Sequence, residues 1–345
     1  MKDVINFALV GCGRISANHI EALKKFENEA KLVAACDIVE AKARKVGDEN
    51  NIDYYANIDD MLDRGGIDAV SICTPSGLHP IHGIAIARRK LHVITEKPMA
   101  TSLKKADELI SACDENGVQL FVVKQNRLNS TLQLVKRAID KGRFGRIYMA
   151  IVNVLWARPQ SYYDEAKWRG TWEFDGGAFM NQASHYVDML EWLIGPVDNV
   201  SAYTATLARK IQTEDSGVAS IRFRSGALGS INVTMLAYPK NLEGSITIIG
   251  ENGTVRIGGV AVNKIEHWEF KDYDDDDKLV ESTEYTPPNV YGFGHTGYYR
   301  NVIDVLKGKA EPDTDGREGR KSLELILAIY KSAREGKSIP LPLEY

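Results

Sequence analysis

The stretch INFALVGCGRISANHIEAL, residues 5–23, decides the fold. An apolar run leads into Gly11, Gly13 and Ser16 in G-x-G-x-x-S order, and a helical pattern comes next. Between a strand and a helix, the first glycine permits a tight turn and the second lets the backbone approach a pyrophosphate. The helix N-terminus then offers unpaired N–H groups to that anion. Ser16 and Ala17 replace the third glycine and are small enough for close helix–strand packing. Alone, the spacing is also that of an ordinary strand-to-helix turn. Its context adds weight, because KLVAACD ends a second strand on Asp37, at about the distance where an acid binds the adenosine ribose hydroxyls and repels a 2′-phosphate. NAD(H) is therefore expected over NADP(H). Arg14 is the reservation, since a basic loop side chain can flank the pyrophosphate or accompany a 2′-phosphate.

Outward from this stretch, short β-branched runs alternate with helical patterns: DAVSICTP, LHVITEKP and VQLFVVK, with a helix over 102–116 before the last. Such alternation makes an α/β, Rossmann-type doubly wound parallel sheet, assigned to residues 1–123. After about residue 124 longer alternating strands take over: IYMAIVNVLWA, NVSAYTATLA, GVASIRFRS, ALGSINVTML and GSITIIGENGTVRIGG. They suit an α+β domain with a largely antiparallel sheet, assigned to residues 124–345, with helical periodicity over 296–335 interrupted by EPDTDG. The alternation also leaves one sheet face for another subunit, so a homo-oligomer, dimer or tetramer, is expected.

Composition limits the function classes. The 345 residues, 44% hydrophobic and 26% charged, suffice for two ordinary cores. A net charge of -4 gives no basic footprint for nucleic acid or an anionic membrane. The lack of an apolar membrane-length run, and a start without a signal layout, lead to an expectation of a cytoplasmic protein. Cys12, Cys36, Cys73 and Cys113 show no C-x-x-C spacing and read as buried thiols. The run KDYDDDDKL, residues 271–279, reads as a solvated acidic loop, because like charges resist burial.

Two constellations carry chemistry. AVSICTPSGLH ends its strand on Thr74, Pro75 and Ser76, and HVITEKPMAT ends its strand on Glu96, Lys97 and Pro98, at the carboxyl edge where open α/β sheets bind ligands. A Glu-Lys pair in a solvated turn is the plain alternative. Farther on, GGAFMNQASHYVD reads as a glycine-rich entry to one helix with Asn181, His185 and Asp188 at i, i+4 and i+7. His185 could serve a ligand through one ring nitrogen while Asp188 orients the other, or it could be a packed structural histidine. No metal-ligand spacing is present, so no metal is expected.

The order G-x-G-x-x-S, Asp37, TPS-x-x-H, EKP and GGA-x-x-NQASHYVD resembles the Gfo/Idh/MocA family of nicotinamide-dependent sugar oxidoreductases over essentially the whole chain. Many members have D-x-G-x-H at the helix, whereas Asn181 stands here for the acid. That departure, with WRGTW before it and EWLIGPV after it, is similar to the branch that oxidises C3 of UDP-N-acetyl-2-amino-2-deoxyglucuronate for surface polysaccharide sugars. The resemblance implies NAD as cofactor, a UDP-sugar substrate, and Lys97 and His185 as catalytic residues. It assigns Gly11, Gly13, Arg14, Ile15, Asp37, Thr74, Ser76, His79, Glu96, Lys97, Gln125, Trp168 and Arg169 to the cofactor, with Glu96 on the nicotinamide ribose. Lys97, Tyr163, Asn181, His185 and His295 fall to the substrate, His295 at its mouth. Oxidation of a free polyol of inositol type, or a non-catalytic nucleotide sensor on this fold, remain as alternatives.

Overall fold

A computed structural model describes residues 3–259, 261–286 and 293–344. Two compact units emerge: Met1–Lys124 with His295–Arg320, and Gln125–Gly294 with Lys321–Tyr345.

In the first unit the chain runs β1 (Ile5–Val10), α1 (Ser16–Lys24), β2 (Ala30–Cys36), α2 (Glu40–Asn50), β3 (Asp53–Tyr55), α3 (Ile58–Asp63), β4 (Ala69–Ile72), α4 (His79–Arg88), β5 (His92–Thr95), α5 (Leu103–Glu115) and β6 (Leu120–Val122). The parallel sheet has the order β3-β2-β1-β4-β5-β6, the doubly wound order with its switch point beside β1. Helices cover both faces, so the strands are apolar throughout: Phe7, Leu9, Val70, Ile72, Val93 and Ile94 are fully buried. Register aligns the strand ends. Val10 pairs with Cys36 and Ile72, and Ile72 with Thr95, so the residues after β1, β2, β4 and β5 emerge side by side at one edge. Ser102 caps α5 by accepting from the Lys105 amide, as the sequence predicts for a helix starting there.

The second unit contains α6 (Ser130–Asp140), β7 (Ile147–Leu155), α7 (Gln160–Asp164), α8 (Ser184–Ile194), β8 (Val197–Ala205), β9 (Ser216–Phe223), β10 (Leu228–Thr234), β11 (Glu243–Gly250), β12 (Gly253–Gly258), β13 (Lys264–Phe270) and the single turn α9 (Val280–Thr283). Its sheet, β13-β12-β11-β7-β10-β9-β8-β14, is antiparallel except where β7 meets β10; β14 (Ile339–Pro340) closes one edge. Ala150, Val152, Val154, Ile231, Val233, Ala219 and Ile221 face the core. On the opposite face Met149 pairs with Leu228, and Val218 with Tyr203; these four are exposed.

One segment differs from the sequence reading and another is more ordered than its charge suggests. Residues 124–345 do not all stay in one unit, because α10 (Gly294–Leu306) and the first turn of α11 (Gly316–Glu335) pack with the first. The link between them satisfies the otherwise open edge of β6: Val122 donates to the Thr314 carbonyl, and the Thr314 hydroxyl donates to the Val122 carbonyl. Periodicity reveals a helix and its apolar face but not which sheet that face covers. The acidic run is largely solvated, as its charge requires, but it is ordered by ion pairs. Asp274 caps a short 3₁₀ turn with Asp277, and Lys141 and Arg143 at the end of α6 bind Asp274, Asp276 and Asp277 at 2.6–2.9 Å. Like charge becomes partly buried because opposite charge is supplied from a distant element.

Candidate active site

Gly11 adopts φ +94°, and a Cβ there would lie 2.7 Å from the carbonyl of Cys73, so only glycine lets β1 turn this close to β4. Gly13 faces open space, with no heavy atom within 4 Å of a Cβ built on it. The N-terminus of α1 has no side-chain cap and no acid in its first turn. Ser16 is turned inward, its hydroxyl donating to the Gly13 carbonyl at 2.6 Å. An open backbone and uncapped amides suit a dinucleotide pyrophosphate. Asp37 accepts from the amides of Cys12 and Val39, both at 2.8 Å, so it braces the glycine loop while remaining only half-buried at the strand end. These residues fit NAD. The four cysteines are free thiols, and burial pushes Cys12 up to about 12 and Cys36 up to about 11.

The same edge carries Thr74 and the Glu96–Lys97–Pro98 turn, whose Lys97–Pro98 peptide is cis. His79, expected at the cofactor, is buried with Nδ1 2.8 Å from the Pro98 carbonyl and Nε2 2.8 Å from the Thr74 carbonyl, joining the two rim turns. Burial lowers its proton affinity, against those two carbonyls. Glu96, expected on a ribose, is turned inward. Its Oε1 lies 2.9 Å from Nε2 of the fully buried His19, and its Oε2 accepts from the Lys97 amide at 3.1 Å. Burial alone would raise this carboxyl, but the hydrogen bond from His19 and the nearby imidazoles of His19 and His295 hold it well below the usual range. His295, expected at a substrate mouth, is 5% exposed and packs edge-on against His19. Thr74 meets His82, which burial lowers to about 4. Arg14 is exposed and Ile15 half-buried; Ser76 is buried.

In the second unit the single helix expected over Asn181–Asp188 is broken. Ala178–Gln182 form a π turn, Ala183 interrupts, and α8 begins at Ser184. The turn is held by distant residues. Tyr330 Oη accepts from the amides of Gly177 and Met180 and donates to Glu214 Oε1, which also accepts from the Phe179 amide at 2.9 Å. Asn181, inside that turn, donates to Asp175, and Asp175 also accepts from the Gly170 amide. His185 is 6% exposed, with the Gln125 amide 3.3 Å from Nε2. Gln125, expected at the cofactor, lies within reach of the His185 ring. Asp188, expected to orient His185, instead takes Arg127 in a bidentate pair at 2.7 and 2.8 Å. That pair fixes α8 against the Gln125–Leu128 turn.

Tyr163 is buried beside Gly170, whereas its neighbour Tyr162 reaches the Gln182 amide and underlies Arg169 at 4.2 Å. Arg169 also pairs with Glu165, and Arg158 donates to Gln182. Trp168 is exposed. Sequence reasoning missed His19, Glu214, Tyr330, Asp175 and Gln182. His19 alone had a signal: a histidine on the apolar side of α1, one turn after the glycine loop. Among the described residues no helix is long and apolar enough to cross a membrane.

The model of the oxidoreductase family's NAD-binding Rossmann fold matches residues 5–124, and that of its C-terminal alpha/beta domain matches 136–342. The chain is 58% identical to the WlbA dehydrogenase from Bordetella pertussis, solved in complex with NADH and UDP-GlcNAcA. That match has a TM-score of 0.97 and covers 100% of this chain and 99% of the other. The WlbA dehydrogenase from Chromobacterium violaceum, in complex with the same two molecules, is 57% identical with a TM-score of 0.96, over 100% and 98%. Myo-inositol 2-dehydrogenase from Thermotoga maritima is 25% identical over 98% of each chain. With an NAD-shaped loop in the first unit, a histidine helix in the second and both family domains in order, this chain belongs to the Gfo/Idh/MocA oxidoreductase family.

Proposed function

We propose that this protein is an NAD-dependent dehydrogenase that oxidises the C3 hydroxyl of UDP-N-acetyl-2-amino-2-deoxyglucuronate to the 3-keto sugar. The observation that carries this reading is identity above half, over essentially full length, to two dehydrogenases crystallised with NADH and UDP-GlcNAcA. Polyol dehydrogenases share only about a quarter of the sequence.

Gly11, Gly13, Arg14 and Ile15 hold the pyrophosphate, Asp37 the adenosine ribose, and Thr74, Ser76, Trp168 and Arg169 the remainder. NAD supplies the hydride acceptor when bound. Oxidising a secondary alcohol also requires that the hydroxyl proton leave and that the developing alkoxide be stabilised. His185 takes the proton, and the Lys97 ammonium stabilises the oxygen as its charge grows. Asn181 and Tyr163 lie with the substrate, Asn181 orienting the sugar in place of an acid. The neutral side chain there is compatible with a substrate already carrying a carboxylate and a diphosphate.

The working form is a cytoplasmic homo-oligomer, dimer or tetramer, closed over the sheet face that bears Met149, Val218, Leu228 and Tyr203. Light scattering giving the mass of one chain at micromolar protein would overturn that assignment. For the activity, stoichiometric amounts of protein, NAD and each member of a panel of UDP-sugars and polyols are mixed, and reduced cofactor is monitored by absorbance. Reduction is expected with the UDP-uronate and not with myo-inositol; the reverse overturns the substrate.

A further inference from the structure

The Glu96–Lys97–Pro98 turn is gripped from beneath by buried groups that the proposed chemistry does not use. Glu96 Oε2 accepts the Lys97 amide, and His79 Nδ1 holds the Pro98 carbonyl. Behind Glu96 runs a buried chain: His19 Nε2 on Glu96 Oε1, the Tyr299 hydroxyl 2.8 Å from His19 Nδ1, and Ser71 Oγ 2.6 Å from the same hydroxyl. An ionised carboxylate only accepts, so His19 Nε2 carries the proton. Tyr299 Oη links the other ring nitrogen to Ser71 Oγ. The direction of the His19 bond is thereby set by Glu96. His295 adds a second imidazole, its Nε2 3.8 Å from Glu96 Oε1.

We propose that Glu96 is a positioning residue: tethered by His19, its buried carboxylate holds the backbone of Lys97 and so fixes where the Lys97 ammonium is presented. This rests on Lys97 acting at the reacting hydroxyl. A chain that ends a core strand on Glu-Lys-Pro needs an anchor under the turn, because a four-carbon side chain on a loose backbone would present its charge over several ångströms. His19, Glu96 and His295 are also metal-ligand types, with ligand atoms within 4.8 Å of one another. The 2.9 Å between His19 and Glu96, however, is a direct hydrogen bond.

The test compares the wild-type protein with Glu96→Gln, His19→Ala and His19→Gln. Hydrogen exchange at the Lys97 amide needs no substrate: Glu96→Gln and His19→Ala should each accelerate it at least about tenfold, while His19→Gln, whose amide still donates to the carboxylate, should retain protection. With substrate, Glu96→Gln should lower kcat by about 10–100-fold. NADH affinity should stay within about threefold. The alkaline limb of the rate profile should move to lower pH, since removing an adjacent anion disfavours the ammonium. NADH affinity weakened tenfold or more with Lys97 exchange unchanged would make Glu96 a cofactor ligand and overturn the proposal. Unchanged exchange in all variants, or one equivalent of zinc in the purified protein, would overturn it too. If Glu96→Gln does not fold, the two His19 variants decide. If wild type oxidises no sugar, the proposed function fails while the exchange result still judges this inference.

Discussion

Two buried glutamates lie behind the two turns that carry the proposed chemistry, and they are kept in opposite charge states. Glu96, under the Lys97 turn of the first unit, faces two histidines, and its proton is held off well below the usual carboxylate range. Glu214, under the turn before His185 in the second, meets only neutral donors, the Phe179 amide and Tyr330 hydroxyl. Burial there pushes it up to about 7. Depth does not separate them, since both are nearly inaccessible. The partners do: an imidazole can share its proton or charge, whereas a phenol and an amide cannot repay the desolvation of an anion. The first turn is therefore held by charge and the second by a carboxyl that is neutral over much of the acidic range.

The contrast has a catalytic meaning only if each turn serves its reactive residue, and that carries the largest expected effect. Lys97→Met and His185→Asn should each lower turnover by about 10²–10⁴-fold with NADH affinity nearly unchanged. Full activity of His185→Asn across the pH range would make that histidine structural and leave its turn without a catalytic purpose.

Next is the pH dependence of stability, which separates the two glutamates directly. Glu214 has its folded value, about 7, above the ordinary 4.5, so the native state retains a proton that the unfolded chain loses. Its contribution is complete below about 4.5 and is lost as pH rises toward 7, a change of about 3 kcal/mol. Glu214→Gln, which mimics the protonated form, should be the more stable protein above pH 7 by up to that amount. Melting temperatures that run parallel from pH 4.5 to 8 would remove the contrast. Glu96, shifted the other way, contributes stability above the ordinary carboxylate value that is lost as pH falls below it. Glu96→Gln should therefore cost stability at neutral pH and little in acid.

A steric prediction sharpens the same picture. A Cβ on Gly177 would overlap Glu214 Oε2, so Gly177→Ala must displace that carboxyl or the turn. A cost of about 1–3 kcal/mol is expected by denaturant titration. An unchanged midpoint would mean that Glu214 is not seated against the turn.

Much of this was legible in the sequence, for identifiable reasons. The parallel sheet could be read from INFALVG, KLVAACD, DAVSICTP and LHVITEKP because strands buried on both faces are apolar throughout. β13, KIEHWEF, was missed because it is an edge strand whose charged residues face solvent. The i, i+4, i+7 spacing of Asn181, His185 and Asp188 could not reveal the π turn, since Glu214 and Tyr330, which impose it, lie far along the chain. Glu96 and His295 were legible as residues in special places but not in orientation. Their inward turn depends on His19 and on α10 joining the first unit, both set by tertiary packing.

The smallest expected effect concerns cofactor choice. Asp37→Asn keeps the loop acceptors partly in place but removes the charge, and should weaken NADH by about tenfold while narrowing its advantage over NADPH. Tighter binding of NADPH by the wild-type protein would move the leading role to Arg14.

The most decisive experiment traces a deuterium atom. UDP-N-acetyl-2-amino-2-deoxyglucuronate deuterated at C3 is mixed with NAD and protein in stoichiometric amounts, and the reduced cofactor is analysed by mass spectrometry. Oxidation at C3 predicts NADH carrying one deuterium, formed by wild type and strongly diminished in Lys97→Met. Undeuterated NADH from the wild-type protein would place the chemistry at another carbon, and no reduced cofactor at all would contradict oxidation of this sugar.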